Sequence, residues 1–169
     1  MSFIFRVCIY NGKNVKIVHV SWTREFWMIL WNAELTKRLA CSEKDKIALP
    51  HIIEEMLAVS DKARDEGILP FTSVEESLKQ PPMLQYGFKL IAEGLSPEVL
   101  EEILAIYLST STLVGFEFLK QCIYVEALLS IAAGDSRDLL LRKLAPYCGA
   151  EKAYSLLKAL DSESGTQSL

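Results

Sequence analysis

Two glutamates raise the question of chemistry. Glu66 lies in ARDEGILPF, residues 63 to 71, and Glu126 lies in IYVEALLSI, residues 123 to 131. Paired carboxylates with perturbed pKa values are candidates for acid–base work. Glu66, however, immediately precedes Gly67, where a negative charge meets the negative end of the helix dipole. Glu126 sits on a largely apolar helix whose polar stripe is Glu117, Lys120, Gln121 and Tyr124. Buried carboxylates need partners, so both are read as structural charges, with Arg137, Arg142 or Lys143 as the cations. His19 and His51 are too far apart in sequence for a local metal signature. The doublets Glu54-Glu55, Glu75-Glu76 and Glu101-Glu102 read as helix-surface charge. Gly-x-Gly-x-x-Gly, Gly-Lys-Ser/Thr, His-Glu-x-x-His and the nucleophile elbow are all missing from the sequence. No catalytic residue, metal or cofactor is expected.

The composition narrows the function classes. A chain of 169 residues, half hydrophobic and a quarter charged, suffices for one domain with its own core. A net charge of −4 and a pI near 5.3 give no basic footprint for a phosphate backbone, which argues against nucleic acid. Cys8, Cys41, Cys122 and Cys148 are scattered without Cys-x-x-Cys spacing, and no secretory signal opens the sequence, which fits a reduced cytoplasm. The apolar runs EFWMILW and VEALLSIAAG are broken by charge well short of the roughly 20 residues a bilayer needs. No transmembrane insertion is expected.

The elements that must position these residues are mainly helical. The first twenty residues are the exception: FIFRVCIY and NVKIVHVSW flank Asn11-Gly12, a strong hairpin signal. From Trp22 the period becomes helical, with Phe26, Ile29, Leu30 and Leu35 inward on a helix reaching Ala40. Trp27 and Trp31 share a face and read as core; left uncovered by the hairpin, the cluster with Trp22 and Phe26 becomes an aromatic docking surface. Ser42 with Asp45 makes a capping box for a helix ending at Gly67, and Thr72 with Glu75 repeats that logic for a short helix before Pro81-Pro82. MLQYGFKLIAE then runs to Gly94. Ser96-Pro97-Glu98 starts a helix to about Thr110, and another begins near Val114. Gly134-Asp135 supplies a left-handed closing residue and an N-cap; Gly149 precedes the last helix, and residues 161–169 form a flexible tail. The expected fold is therefore mainly α, a compact helical domain of about six to eight helices over residues 21–160 with an N-terminal β-hairpin over 1–20.

Within the helical region two stretches, about 50–110 and 113–160, align at an offset of sixty. Met56 matches Phe116, Ala63 matches Ile123, Glu66 matches Glu126, and Ile68, Leu69 and Phe71 match Leu128, Leu129 and Ile131. On this pattern Ile68, Leu69, Leu128 and Leu129 belong to the core.

The words around the repeat carry a resemblance. MLAVSDKARDEGIL, an acidic short helix and MLQYGFKLIAEGLSPEVLEEIL resemble the cytoplasmic loop of the flagellar stator protein family MotA, with its A-R-x-x-G-[IL]-L signature. FLKQCIYVEALLSIAAGDSRDLLLRKL resembles the C-terminal cytoplasmic tail of that family, so the likeness covers roughly residues 50 to 148. Ser136 replaces the tail motif's Asn-Pro, while Gly134, Asp135 and Arg137 keep their places. The family's membrane helices have no counterpart here, since AIYLSTSTLVG is the whole connection between the two stretches.

The resemblance implies a protein-binding role. Arg64, with Asp61 one turn before it, aligns with a family arginine in charge contact with the rotor; the acidic partner falls at Thr72 to Glu75, which points to Glu75. The reading that follows is a non-enzymatic interaction module of the flagellar motor, an adaptor or regulator, cytoplasmic or peripheral at the inner membrane face. Its partners would be rotor or stator components, with self-association open. The alternatives are the cytoplasmic part of an ion-driven stator or proton-channel subunit, and a helical ligand-binding protein.

Overall fold

A computed structural model describes the backbone of residues 4–11, 14–21 and 37–164, and side chains over 37–158 except at position 77. The protein is mainly helical. The chain divides into two units, residues 1–37 and 38–169.

In the first unit, strands β1 (Ile4–Asn11) and β2 (Asn14–Ser21) pair antiparallel, with a register running from Ile4↔Ser21 to Asn11↔Asn14. Both runs are rich in β-branched residues, which favour strand. The helix expected from Trp22, with its aromatic cluster, lies outside the described residues apart from helical positions 37–39.

Among the described residues the second unit has eight helices from position 43 onward. They are α1 (Glu43–Lys46), α2 (Leu49–Glu66), α3 (Val74–Ser77), α4 (Pro82–Ala92), α5 (Pro97–Thr110), α6 (Gly115–Ala133), α7 (Arg137–Leu144) and α8 (Ala150–Ser164). Single 3-10 turns at Leu69–Thr72 and Ala145–Cys148 precede α3 and α8. Ser42 and Asp45 form the expected capping box on α1, but the helix they start stops at Lys46 and a new one begins at Leu49. Pro50 explains the break, because it has no N–H to donate back to Lys46. Ser73 rather than Thr72 caps α3, accepting from Glu76 N, while Thr72 Oγ1 donates to the Leu69 carbonyl. Ser96 caps α5, with Pro97 in its first turn. Ser136, not Asp135, caps α7. The last helix runs to Ser164, beyond the start expected for the tail.

The core is organised around α6. On this helix the consecutive residues Ile123, Tyr124 and Val125 are all buried, as are Phe118, Leu119, Ala127 and Leu128. Burial on more than one face marks a central helix, and α2, α4, α5 and α7 all pack on it. Gly87 is the point of closest approach, where α4 lies against Leu128 of α6. Phe71 turns inward from its 3-10 turn and stacks on Phe88 of α4, ring centroids 4.5 Å apart.

The aligned stretches do not occupy equivalent places. α2 stops at Gly67 (φ 81°), whereas its counterpart Ala127 lies inside α6, which continues to Ala133. Leu128 is fully buried, Ile68 and Leu129 are half-buried, and Leu69 is 74% exposed. The similarity reflects the apolar spacing shared by amphipathic helices, and glycine at one position sends the two chains different ways.

Candidate functional site

The residues that carry the resemblance meet at one junction. Gly134 (φ 73°) ends α6 in the left-handed conformation, donating from its N–H to the Ile131 carbonyl, while Asp135 N–H donates to the Ser130 carbonyl. This double closure is a Schellman motif, which satisfies two carbonyls the helix end would otherwise leave open. Ser130 also donates its hydroxyl to the Asp135 carboxylate. Ser136 then starts α7 by accepting from Leu139 N–H, and Arg137 stands in the first turn.

Against this turn comes the last part of α2. Arg64 Nη2 donates to the Asp135 carbonyl at 2.7 Å, and its Nη1 lies 3.6 Å from Asp61 Oδ1. Arg137 donates to the other oxygen of Asp61. On the far side of the turn, Lys143 Nζ reaches Asp135 Oδ2 at 2.8 Å and Glu126 Oε1 at 3.4 Å. Three carboxylates and three cations thus join α2, α6 and α7.

Electrostatics at the junction centre on Asp135 and Lys143. Partial burial pushes the Asp135 carboxyl up, but hydrogen bonds from Lys143 and Ser130, with the Lys143 charge, outweigh it and hold the group below the usual carboxylate range. Burial likewise pulls Lys143 down, and Asp135 and Glu126 together more than restore it, leaving the ammonium above its ordinary value. The outer half of the junction is wetter, since the side chains of Asp61, Arg64 and Arg137 are 37%, 46% and 44% exposed. Ion pairs at that exposure contribute little each.

The other predicted site residues lie apart from it. Glu75 is exposed and pairs with Lys79, 3.8 Å away one turn along the chain. Glu66 is exposed and makes no ion pair among the described residues; the cation expected for a buried carboxylate is not beside it, and an exposed carboxylate does not require one. Arg137 serves Asp61, and Lys143 serves Glu126.

His51 is exposed and pairs with Glu55, and no group of three metal-ligating side chains occurs among the described residues. Cys41, Cys122 and Cys148 are free thiols; burial pushes Cys122 up to about 12 despite the nearby Arg38 charge, and pushes Cys148 up as well. Raised values mean less thiolate and lower reactivity. Two open grooves flank the stacked pair Tyr86 and Tyr107, of about 570 and 430 Å³. The larger is lined by Thr72, Gln85, Lys89 and Glu93 among others and the smaller by Thr110, Ser111 and Gln121. Among the described residues no helix is long and apolar enough to cross a membrane.

Sequence reasoning missed two contributors. Ser130 had a readable signal, a serine four residues before a helix-closing glycine and five before an aspartate. Arg38 had none. Its guanidinium donates to the carbonyls of Leu108, Ser111 and Leu113 and to Ser111 Oγ, and lies 3.9 Å over the Phe118 ring. It closes the end of α5 from seventy residues away.

No protein-family model, curated protein or solved structure matches the chain.

Proposed function

We propose that the chain is a non-enzymatic protein-interaction module of the flagellar motor, an adaptor or regulator resembling the cytoplasmic portion of a MotA-type stator. One observation carries the reading: Arg64, from the loop-like stretch, and Asp135 and Arg137, from the tail-like stretch, assemble at a single junction. Residues kept from two separate motifs are accounted for together when their task is to hold two helices in a fixed relation. In this reading the inner pairs around Asp135 set the geometry. The exposed acids near the end of α2 and on α3 steer a partner, since rim charges act mainly on association rate and specificity. The module works in the cytoplasm, at the inner face of the membrane where rotor and stator meet.

The test is site-specific cross-linking in a motile cell from a photoreactive residue at position 75, with identification of the captured protein. A rotor or stator component should be captured, less of it in Glu75→Lys and as ionic strength rises. Arg64→Glu should lose more, because it also breaks the tie to Asp135. If no motor component is captured by the wild-type chain, the motor assignment is wrong.

A further inference from the structure

We propose that residues 65–78 form a docking surface for a cationic, apolar-faced helix of a partner protein. Val74, Leu78 and Leu69 are the three most exposed large hydrophobic side chains among the described residues, at 79%, 78% and 74%, and all lie within ten positions. Val74 and Leu78, four apart, share one face of the α3 turn. Isolated exposed apolar side chains are ordinary; three in one short segment are not.

The segment is pinned from behind rather than loosely draped. Phe71 is buried against Phe88, Lys62 Nζ sits 3.9 Å from Glu76 and 5.3 Å over the Phe71 ring, and Ser73 caps α3. Phe71 is thereby held inward while Leu69, Val74 and Leu78 stay exposed on a fixed backbone, which lowers the ordering cost of binding.

Charge identifies the occupant. Lys62 and Lys79 are taken up by Glu75 and Glu76, while Asp65 and Glu66 stand exposed in the last turn of α2 with no ion pair among the described residues. Both acids also oppose the helix dipole there. A partner bringing lysine or arginine beside an apolar stripe relieves the acids and covers the leucines at once, and an amphipathic helix offers that arrangement at helical spacing. The same acids disfavour an anionic membrane surface.

The inference rests on reading the chain as an interaction module. Its test contains no motor component, so failure of the motor assignment leaves the result untouched. The full chain is titrated with a synthetic amphipathic helix of leucine and lysine, with the same helix carrying glutamate for lysine, and with phosphatidylserine vesicles. The leucine–lysine helix should bind, and the double variant Val74→Ser/Leu78→Ser should weaken it by about tenfold or more. Val99→Ser/Ile106→Ser, on the exposed side of α5, should leave it unchanged. Circular dichroism verifies that both variants are folded. Equal binding by the Val74/Leu78 variant, equal affinity for the glutamate helix, or preference for the vesicles overturns the proposal.

Discussion

Arg38 and Asp135 show how much a single side chain can hold, the first through backbone carbonyls and the second through the side chains of Ser130 and Lys143. Arg38 spreads its donors over three carbonyls and a hydroxyl while its flat face covers Phe118. A lysine has the charge but neither the fork nor the planar face. Arg38→Ala should cost about 1.5–3 kcal/mol, the range for hydrogen bonds to a charged group, and Arg38→Lys should recover less than half; urea unfolding of the three proteins measures both. Asp135 leads to a statement about pH. Its carboxyl titrates lower in the folded chain than the ordinary value near 4, so below that value the unfolded chain takes up the proton first. The stability it contributes is therefore complete above about pH 4 and is lost as pH falls through the folded value. Asp135→Asn should reduce stability at pH 7 by about 1–3 kcal/mol and flatten that part of the acid limb. An unchanged limb in a pH series of unfolding curves would remove Asp135 from the account.

At the scale of elements, the crossing of α4 and α6 gives the sharpest prediction, because two rules disagree about its sign. Alanine in place of glycine inside a helix normally gains about 1 kcal/mol. At Gly87, however, a Cβ would stand 2.1 Å from Leu128 Cδ1 and 2.9 Å from its Cγ, and Leu128 is fully buried with no room to retreat. Overpacking should win, and Gly87→Ala should destabilise by about 1–3 kcal/mol. Leu128→Ala alone should cost about 2–5 kcal/mol. The double variant should be more stable than the sum of the two predicts, since each change relieves the other. Additive losses in a thermal-unfolding cycle would show that the helices do not meet there. The elements themselves were largely legible in the sequence. Ser42, Ser96 and the glycines at 67, 94, 134 and 149 mark helix ends by local chemistry, which a sequence states directly. What was not legible was non-local. Nothing near Gly87 announces Leu128, and nothing near Arg38 announces the end of α5. The alignment of Leu69 with Leu129 failed because similar apolar spacing cannot say which side of a glycine the chain will turn to. At the junction the participants Arg64, Asp135, Arg137 and Glu126 could be singled out, but Asp61 with Arg137 and Lys143 with Asp135 are pairings fixed only by how α2 and α7 pack on α6.

For the helical unit as a whole, stability should be graded outward from α6. Four helices pack on α6, and it carries eight buried residues. No local opening can expose its amides without dismantling the core around Leu100, Leu104, Phe118 and Leu140, all fully buried. By contrast, α8 packs on the 3-10 turn before it and on α7, and Ala153 is its one buried residue among those whose side chains are described. Helix α3 is a single turn with an exposed outer face. Regions with few buried contacts open at a fraction of the global unfolding free energy, and regions at the centre open only with the whole. In native-state hydrogen exchange, amides of residues 119–131 should therefore be the most protected and should exchange at the rate set by global unfolding. Those of α8 beyond residue 153 and of α3 should exchange faster by several orders of magnitude, and their rates should respond little to low concentrations of denaturant. The ionic junction lies between these extremes, tied to α6 through Ser130 and Asp135 but open to water at Asp61 and Arg64. Arg64→Glu should consequently raise exchange at the start of α7 while leaving the middle of α6 unchanged. Equal acceleration in both places would mean that the junction is part of the folding core rather than a fixture mounted on it.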